Sequence, residues 1–343
     1  MLFKMKKFLF LTLALFFICS SAVILETEAV QAESELKVAL VVSGGLGDRS
    51  FYDSAAEGVE WAEEDFGIDS RVLECRNDPS LFRDRLIQGS MYGDVVIVVG
   101  FEFYDVVQTV APEFPEVEYI YVDNTIEDQA NITSIVYKEN EGSFLAGALA
   151  AMMTTKTEVP NITAEKIIGM VGGMDIPVIR NFQVGYQEGA KYVDSETKVE
   201  TVFAGDFEDP AQGKESALTL FSQGADIVFA AAGKTGEGVF QAAGEKDNYV
   251  IGVDADQRYI NPEVIIASVV KAVNVSVYES IERIIADELN SGSLYTYGLE
   301  EEGVYIGYGT EEMNQIVPAE IKEKVQVIKE QIISGEIEVP TAY

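Results

Sequence analysis

The stretch L-K-V-A-L-V-V at residues 36–42, closed by Gly44 and Gly45, is short, almost wholly apolar and rich in β-branched side chains. A run of that kind stopped by glycine reads as a strand buried on both faces. From residue 54 to 66 the apolar positions recur at helical spacing, which predicts a helix with Trp61 on its core stripe. The alternation then repeats, with strands at 70–75, 94–99 and 117–122 and helices at 79–89 and 104–111. Strands alternating with helices in short units imply an α/β fold with a doubly wound parallel sheet joined by right-handed crossovers.

A second series follows. An Ala-rich helix at 141–154, too short to span a membrane, leads past a surface loop at 157–164 into strands at 166–171, 200–204, 227–231 and 248–253, with helices at 181–192, 210–223 and 236–243. Two such series in 343 residues predict two similar lobes facing a cleft. The strand 268–270 and the helix 275–289 are expected to return the chain to the first lobe, and the tail through a helix at 319–333 to pack on the second. The lobes are thus expected to comprise residues 36–136 with 258–300, and 137–257 with 301–343, joined by a hinge.

The chain begins with a basic segment, M-L-F-K-M-K-K, and an apolar run too short to cross a membrane comfortably, so residues 1–32 read as an export signal. Cleavage is expected after Ala32. Cys19, at the end of the apolar run, is the alternative, as a lipid attachment point on the outer face of the membrane. Only Cys75 remains after cleavage, in an alternating run that makes it a small core residue.

The formal charge is −34, from 58 acidic and 24 basic residues, and cleavage would leave 56 against 21. Nucleic acid and anionic membrane surfaces need basic patches and are poor partners. With no histidine at all, the commonest general base and the commonest transition-metal ligand are missing. A monomer without metal, cofactor or catalytic residues is the expectation.

The apolar run Tyr249, Val250, Ile251 ends in G-V-D-A-D-Q at 252–257, and S-V-V-K follows at 268–271. Carboxylates at the carboxyl end of a buried strand lie where an α/β sheet opens into a crevice, suited to bind a ligand's hydroxyls. Asp254 and Lys271 are the candidates, with a strand-end cap as the plain alternative for Asp254. Asp48, in a loop before a helix, is either a pocket residue or that helix's cap. The segment G-K-T-G-E-G at 233–238 contains G-K-T but lacks the upstream glycine of a phosphate loop, since position 228 is valine.

Six strings occur in order: G-D-R-S-F-Y-D-S-A-A-E-G at 47–58, E-G-S-F-L-A-G at 141–147, G-M-V-G-G-M at 169–174 with N-F-Q-V-G-Y-Q-E-G at 181–189, A-A-G-K-T-G-E-G-V at 231–239, G-V-D-A-D-Q and S-V-V-K. With these the chain resembles the basic membrane protein family of substrate-binding lipoproteins, whose best-known members bind purine nucleosides for an ABC importer. The resemblance implies a type I periplasmic-binding fold, two lobes closing on a ligand, and an ABC permease as partner. It implies that Phe182 stacks on the base, Asp123 bonds the base edge, Asp254 and Lys271 hold the ribose as a pair, and the Gly233 backbone lies nearby. Two departures bear on the base: Tyr52 replaces an asparagine of the pattern, and Leu46 stands where an opposing aromatic is common. Another heterocycle, such as a flavin, an exported sensor with the same pocket, or a hydrolase using Asp48, Asp123, Asp254 and Asp256 around calcium, are the alternatives; the last fits poorly because those aspartates are scattered.

Overall fold

The computed structural model describes residues 36–163 and 165–343; the export segment, Cys19 and the expected cleavage after Ala32 lie outside the described residues. The first lobe is laid down as β1 (Lys37–Val42), α1 (Phe51–Phe66), β2 (Asp69–Glu74), α2 (Pro79–Tyr92), β3 (Val95–Val99), α3 (Tyr104–Val110), β4 (Glu118–Val122) and β5 (Ile132–Tyr137). The second follows as α4 (Glu139–Met153), β6 (Ile167–Gly172), α5 (Pro177–Val193), β7 (Lys198–Phe203), α6 (Pro210–Ser222), β8 (Ile227–Ala231), α7 (Gly236–Lys246), β9 (Tyr249–Asp254) and β10 (Ile265–Lys271). The chain ends with α8 (Val273–Ile285), β11 (Leu294–Tyr297), β12 (Val304–Gly307) and α9 (Ala319–Ile333).

The strands form two six-stranded sheets, ordered β11-β5-β4-β3-β1-β2 and β12-β10-β9-β8-β6-β7. Both have the doubly wound form that the alternating sequence implies, with one exception: β12 runs antiparallel to β10. Alternate side chains of the central strands enter different cores, as a sheet covered on both faces requires. Val38, Leu40 and Val42 meet Ala55, Val59 and Ala62 of α1, while Ala39 and Val41 meet Phe82 and Leu86 of α2. In the second sheet Val171, Val228 and Val250 pack with Ala217, Leu220 and Val239 of α6 and α7. The edge strands β2 and β7 expose Asp69, Arg71, Lys198 and Glu200, and such charges on an edge discourage pairing with another chain.

Three expectations need correction. β10 pairs with β9 in the second sheet, so the chain does not return to the first lobe at residue 258. It crosses after Lys271, where α8 packs on α1 and β11 joins β5. Trp61 is not a core residue: it is 36% exposed and packs edge-on against Tyr278 of α8, ring centroids 6.3 Å apart. The helix carrying it starts at Phe51, three residues earlier than the periodicity indicates.

The lobes are therefore joined three times, at 137–139, 271–273 and 297–304. The crossings lie side by side. Lys138 N donates to the Tyr297 carbonyl and Ala272 N to the Gly303 carbonyl, each at 2.9 Å, and Leu299 N donates to Glu141 Oε2 at 2.9 Å.

Behind them α4 and α5 pack backbone to backbone. A Cβ on Gly147 would run into the Tyr186 carbonyl, and one on Gly189 into the Phe144 carbonyl. This close approach is a physical reason for glycine in the strings at 141–147 and 181–189.

Candidate functional site

The carboxyl ends of the parallel strands of both sheets face one another across a cavity of about 670 Å³, part of it open to solvent. The first lobe lines it with Asp48, Phe51 and Tyr52 after β1, Phe101 and Glu102 after β3, and Asp123 at the end of β4. The second supplies Phe182 from α5, Phe207 and Glu208 after β7, Gly233 and Lys234 after β8, Asp254 ending β9 and Lys271 ending β10. All seven residues expected at the site, Asp48, Tyr52, Asp123, Phe182, Gly233, Asp254 and Lys271, thus line a single cavity.

Asp123 and Asp254 both have left-handed backbone, with φ of 74° and 63°. Aspartate tolerates that region better than most residues, yet each such residue costs on the order of 1–3 kcal/mol and tends to cluster at functional sites. Here the twist ends the strand and leaves each carboxylate at the cavity.

Lys271 is 1% exposed, and its partner is not the expected one. Its Nζ donates to both oxygens of Asp123 at 2.5 Å and lies 3.5 Å from Glu139 Oε1. Asp254 instead accepts a hydrogen bond from Ser50 Oγ at 2.5 Å. Both contacts cross the cleft, since Asp123 and Ser50 belong to the first lobe. Arg49 Nε lies 3.8 Å from Glu237 Oε1 beside them, and Gln257 Nε2 donates to the Arg49 carbonyl at 2.9 Å. The ammonium also sits 4.9 Å from the Phe51 ring centroid and 4.8 Å from that of Tyr137, two favourable cation–π positions.

Two buried carboxylates, Glu139 and Asp254, and the half-buried Asp123 therefore surround one buried lysine. Burial works to lower the Lys271 pKa, but Asp123, Glu139 and Asp254 together hold it above its ordinary value. Burial raises Asp254 and pushes Glu139 up to about 7, with Lys271 opposing both shifts. Glu139 opens α4, where an acid ordinarily serves the helix N-terminus, and sequence reading missed it. Asn181 Nδ2 fixes it by donating to Oε2 at 2.9 Å.

Asp48 carries out both roles considered for it. It lines the cavity, and its carboxylate accepts from the backbone N–H groups of Ser50, Tyr52 and Asp53 at 3.0–3.1 Å, satisfying donors at the start of α1. Burial nevertheless raises its pKa to about 7. Tyr52 neither stacks freely nor reaches for a ligand with an unpaired hydroxyl: Ser43 Oγ lies 2.9 Å from its OH, and its ring lies against Gly44, where a Cβ would collide with it. Phe182, 2% exposed, is held edge-on against Phe229 at 5.9 Å. Leu46 is 39% exposed and does not line this cavity, and the aromatic walls come from Phe51, Phe101 and Phe207 instead. Gly233 has a φ of 55°, beside the Phe207 carbonyl.

Asp256 is directed elsewhere, its Oδ2 accepting from Gly309 N at 2.7 Å. Among the described residues no three acidic or cysteine side chains come together as a metal site, so the calcium arrangement has no geometric support.

The profile of a family described as ABC transporter substrate-binding protein, PnrA-like, matches residues 35–342. The chain belongs to this family, the basic membrane proteins. It is 33% identical over 334 residues to the ABC transporter nucleoside-binding protein BmpA of Lactococcus lactis, covering 91% of each chain. It is 30% identical over 312 residues to basic membrane protein A of Borreliella burgdorferi, covering 89% of this chain and 88% of that one. Among solved structures it is similar to an ABC transporter solute-binding protein of Aeropyrum pernix, at 27% identity and a TM-score of 0.80 over 89% of this chain and 94% of that one. The chain is accordingly a type I substrate-binding protein and not an enzyme. Its partners are a small-molecule ligand and a membrane permease, met outside the cytoplasm. No helix among the described residues is long and apolar enough to cross a membrane.

Proposed function

We propose that the protein captures a purine nucleoside between its lobes and delivers it to an ABC importer, working as an exported monomer. The observation that carries this reading is the division of the cavity's lining between charged and aromatic groups. Asp254 and Lys271 offer a charged acceptor and a donor, suited to ribose hydroxyls, while Phe51, Phe101, Phe182 and Phe207 offer apolar ring faces suited to a flat heterocycle. The name of the Lactococcus relative supports it.

Nucleosides rather than nucleotides are the expected ligands. Asp48, Glu102, Asp123, Glu208 and Asp254 line the cavity against Lys234 and Lys271 alone, and a phosphate would add negative charge among them. Mass spectrometry of ligand released by denaturing the purified protein should find a purine nucleoside. Calorimetry should then show that its monophosphate binds far more weakly. Release of a flavin or a sugar, or equal affinity for the monophosphate, would overturn the reading.

A further inference from the structure

Two lining residues have no role in the division just described. Glu102 follows β3 in the first lobe, and Glu208 follows β7 in the second. Each has one buried oxygen, Glu102 Oε2 and Glu208 Oε1, without a hydrogen-bond partner. Ser43 lies beside the Glu102 carboxyl and eases its ionisation by hydrogen bonding; its Oγ also lies 2.9 Å from the Tyr52 hydroxyl, where either oxygen can be the donor. Lys234 Nζ reaches only the other oxygen of Glu208, at 3.5 Å.

Buried carboxylate oxygens without donors are costly, and native structures seldom keep them without a use. Both line the one cavity, Glu102 from the first lobe and Glu208 from the second, and burial raises the pKa of each. The walls beside them are apolar: Phe101, Ile176, Val178 and Phe207. Neither Asp254 nor Lys271 bonds to either glutamate.

We propose that Glu102 and Glu208 read the base, each giving its unpartnered oxygen to an N–H donor, so that the preferred nucleoside carries an exocyclic amino group on its ring. An amino group supplies two hydrogens from one atom, and a ring N–H beside it supplies a third. A base bearing only carbonyl oxygens and unprotonated ring nitrogens along its edge would face the two carboxylates with lone pairs. This deepens the nucleoside reading and rests on it.

Calorimetry on the full chain with two matched pairs tests the proposal: guanosine against inosine, and adenosine against purine riboside. Each pair differs only in the amino group. In at least one pair the amino-bearing member should bind about tenfold tighter or more, as expected for a hydrogen bond to a charged acceptor in a closed site. Glu102→Gln and Glu208→Gln, checked by thermal melting to be folded, should each shrink that ratio several-fold, since the amide removes the charged acceptor and offers a donor to the amino-free member's lone pairs. Nucleosides bound with no preference in either pair, or a preference intact in both variants, would overturn this proposal and leave the nucleoside reading standing. No binding of any nucleoside would overturn both.

Discussion

Asp254 and Glu139 show how strongly one side chain's chemistry depends on its neighbours here. Replacing Asp254 with Ala removes a charged acceptor from the cavity and leaves Ser50 without its partner. Nucleoside affinity should fall by on the order of 2–4 kcal/mol while the melting temperature changes far less. Calorimetry showing parental affinity would make Asp254 a structural cap. Glu139 gives a prediction in pH. Its pKa of about 7 in the folded chain exceeds its ordinary value of 4.5, so between those values the folded state holds more protons than the unfolded one. Stability must then fall as pH rises through that window and level off above it, with Asp48 contributing in the same sense. Glu139→Gln stays neutral throughout, so thermal melts across pH should fall less steeply for the variant than for the parent. Identical slopes would show that Glu139 is ionised in the folded protein. From the residues alone Asp254 was legible as either a ligand contact or a strand-end cap, and Asp123 entered only through the family resemblance. Their partners were not legible: whether Lys271 meets Asp254 or Asp123 depends on how the lobes meet, and no spacing encodes that.

Among the elements, the central strands and their helices were legible from periodicity alone, down to the Ala-rich α4. The errors fell where the pattern is silent. β10 reads as a buried strand whichever sheet it joins, and Phe51 and Tyr52 precede the amphipathic stripe of α1 because their rings serve the cavity and not the helix face. The same limit hid Glu102 and Glu208, which lie in turns without a distinguishing pattern. The pairing of α4 with α5 yields a sharper expectation. Gly189→Ala would push a methyl group into the Phe144 carbonyl and separate two helices that flank the crossings. Overpacking of this kind typically costs about 1–3 kcal/mol, and denaturant unfolding should register at least that. A neutral result would mean that α5 can shift along α4 freely.

For the whole molecule, three adjacent crossings between two sheets with helices of their own fit a hinge, about which the lobes are expected to move as bodies. If the proposed site holds, a ligand touching Asp254 and Phe182 on one side and Glu102 and Phe51 on the other would bind the closed arrangement best. Its addition should therefore lower the radius of gyration measured by solution scattering, and recovery of the nucleoside unchanged would accompany it; an unchanged radius would argue against the hinge. The bonds from Ser50 to Asp254 and from Lys271 to Asp123 join the lobes through protein groups alone. Such bonds contribute only a few kcal/mol, so they favour the approach of the lobes without locking it. A permease that sensed nothing but the approach of the lobes would dock vacant and loaded molecules alike and waste its cycle on the former. What separates them is duration: a filled cleft adds ring contacts that must break before the lobes part, so a loaded receptor stays shut longer. On that reading dwell time, more than shape, would be the message passed to the membrane.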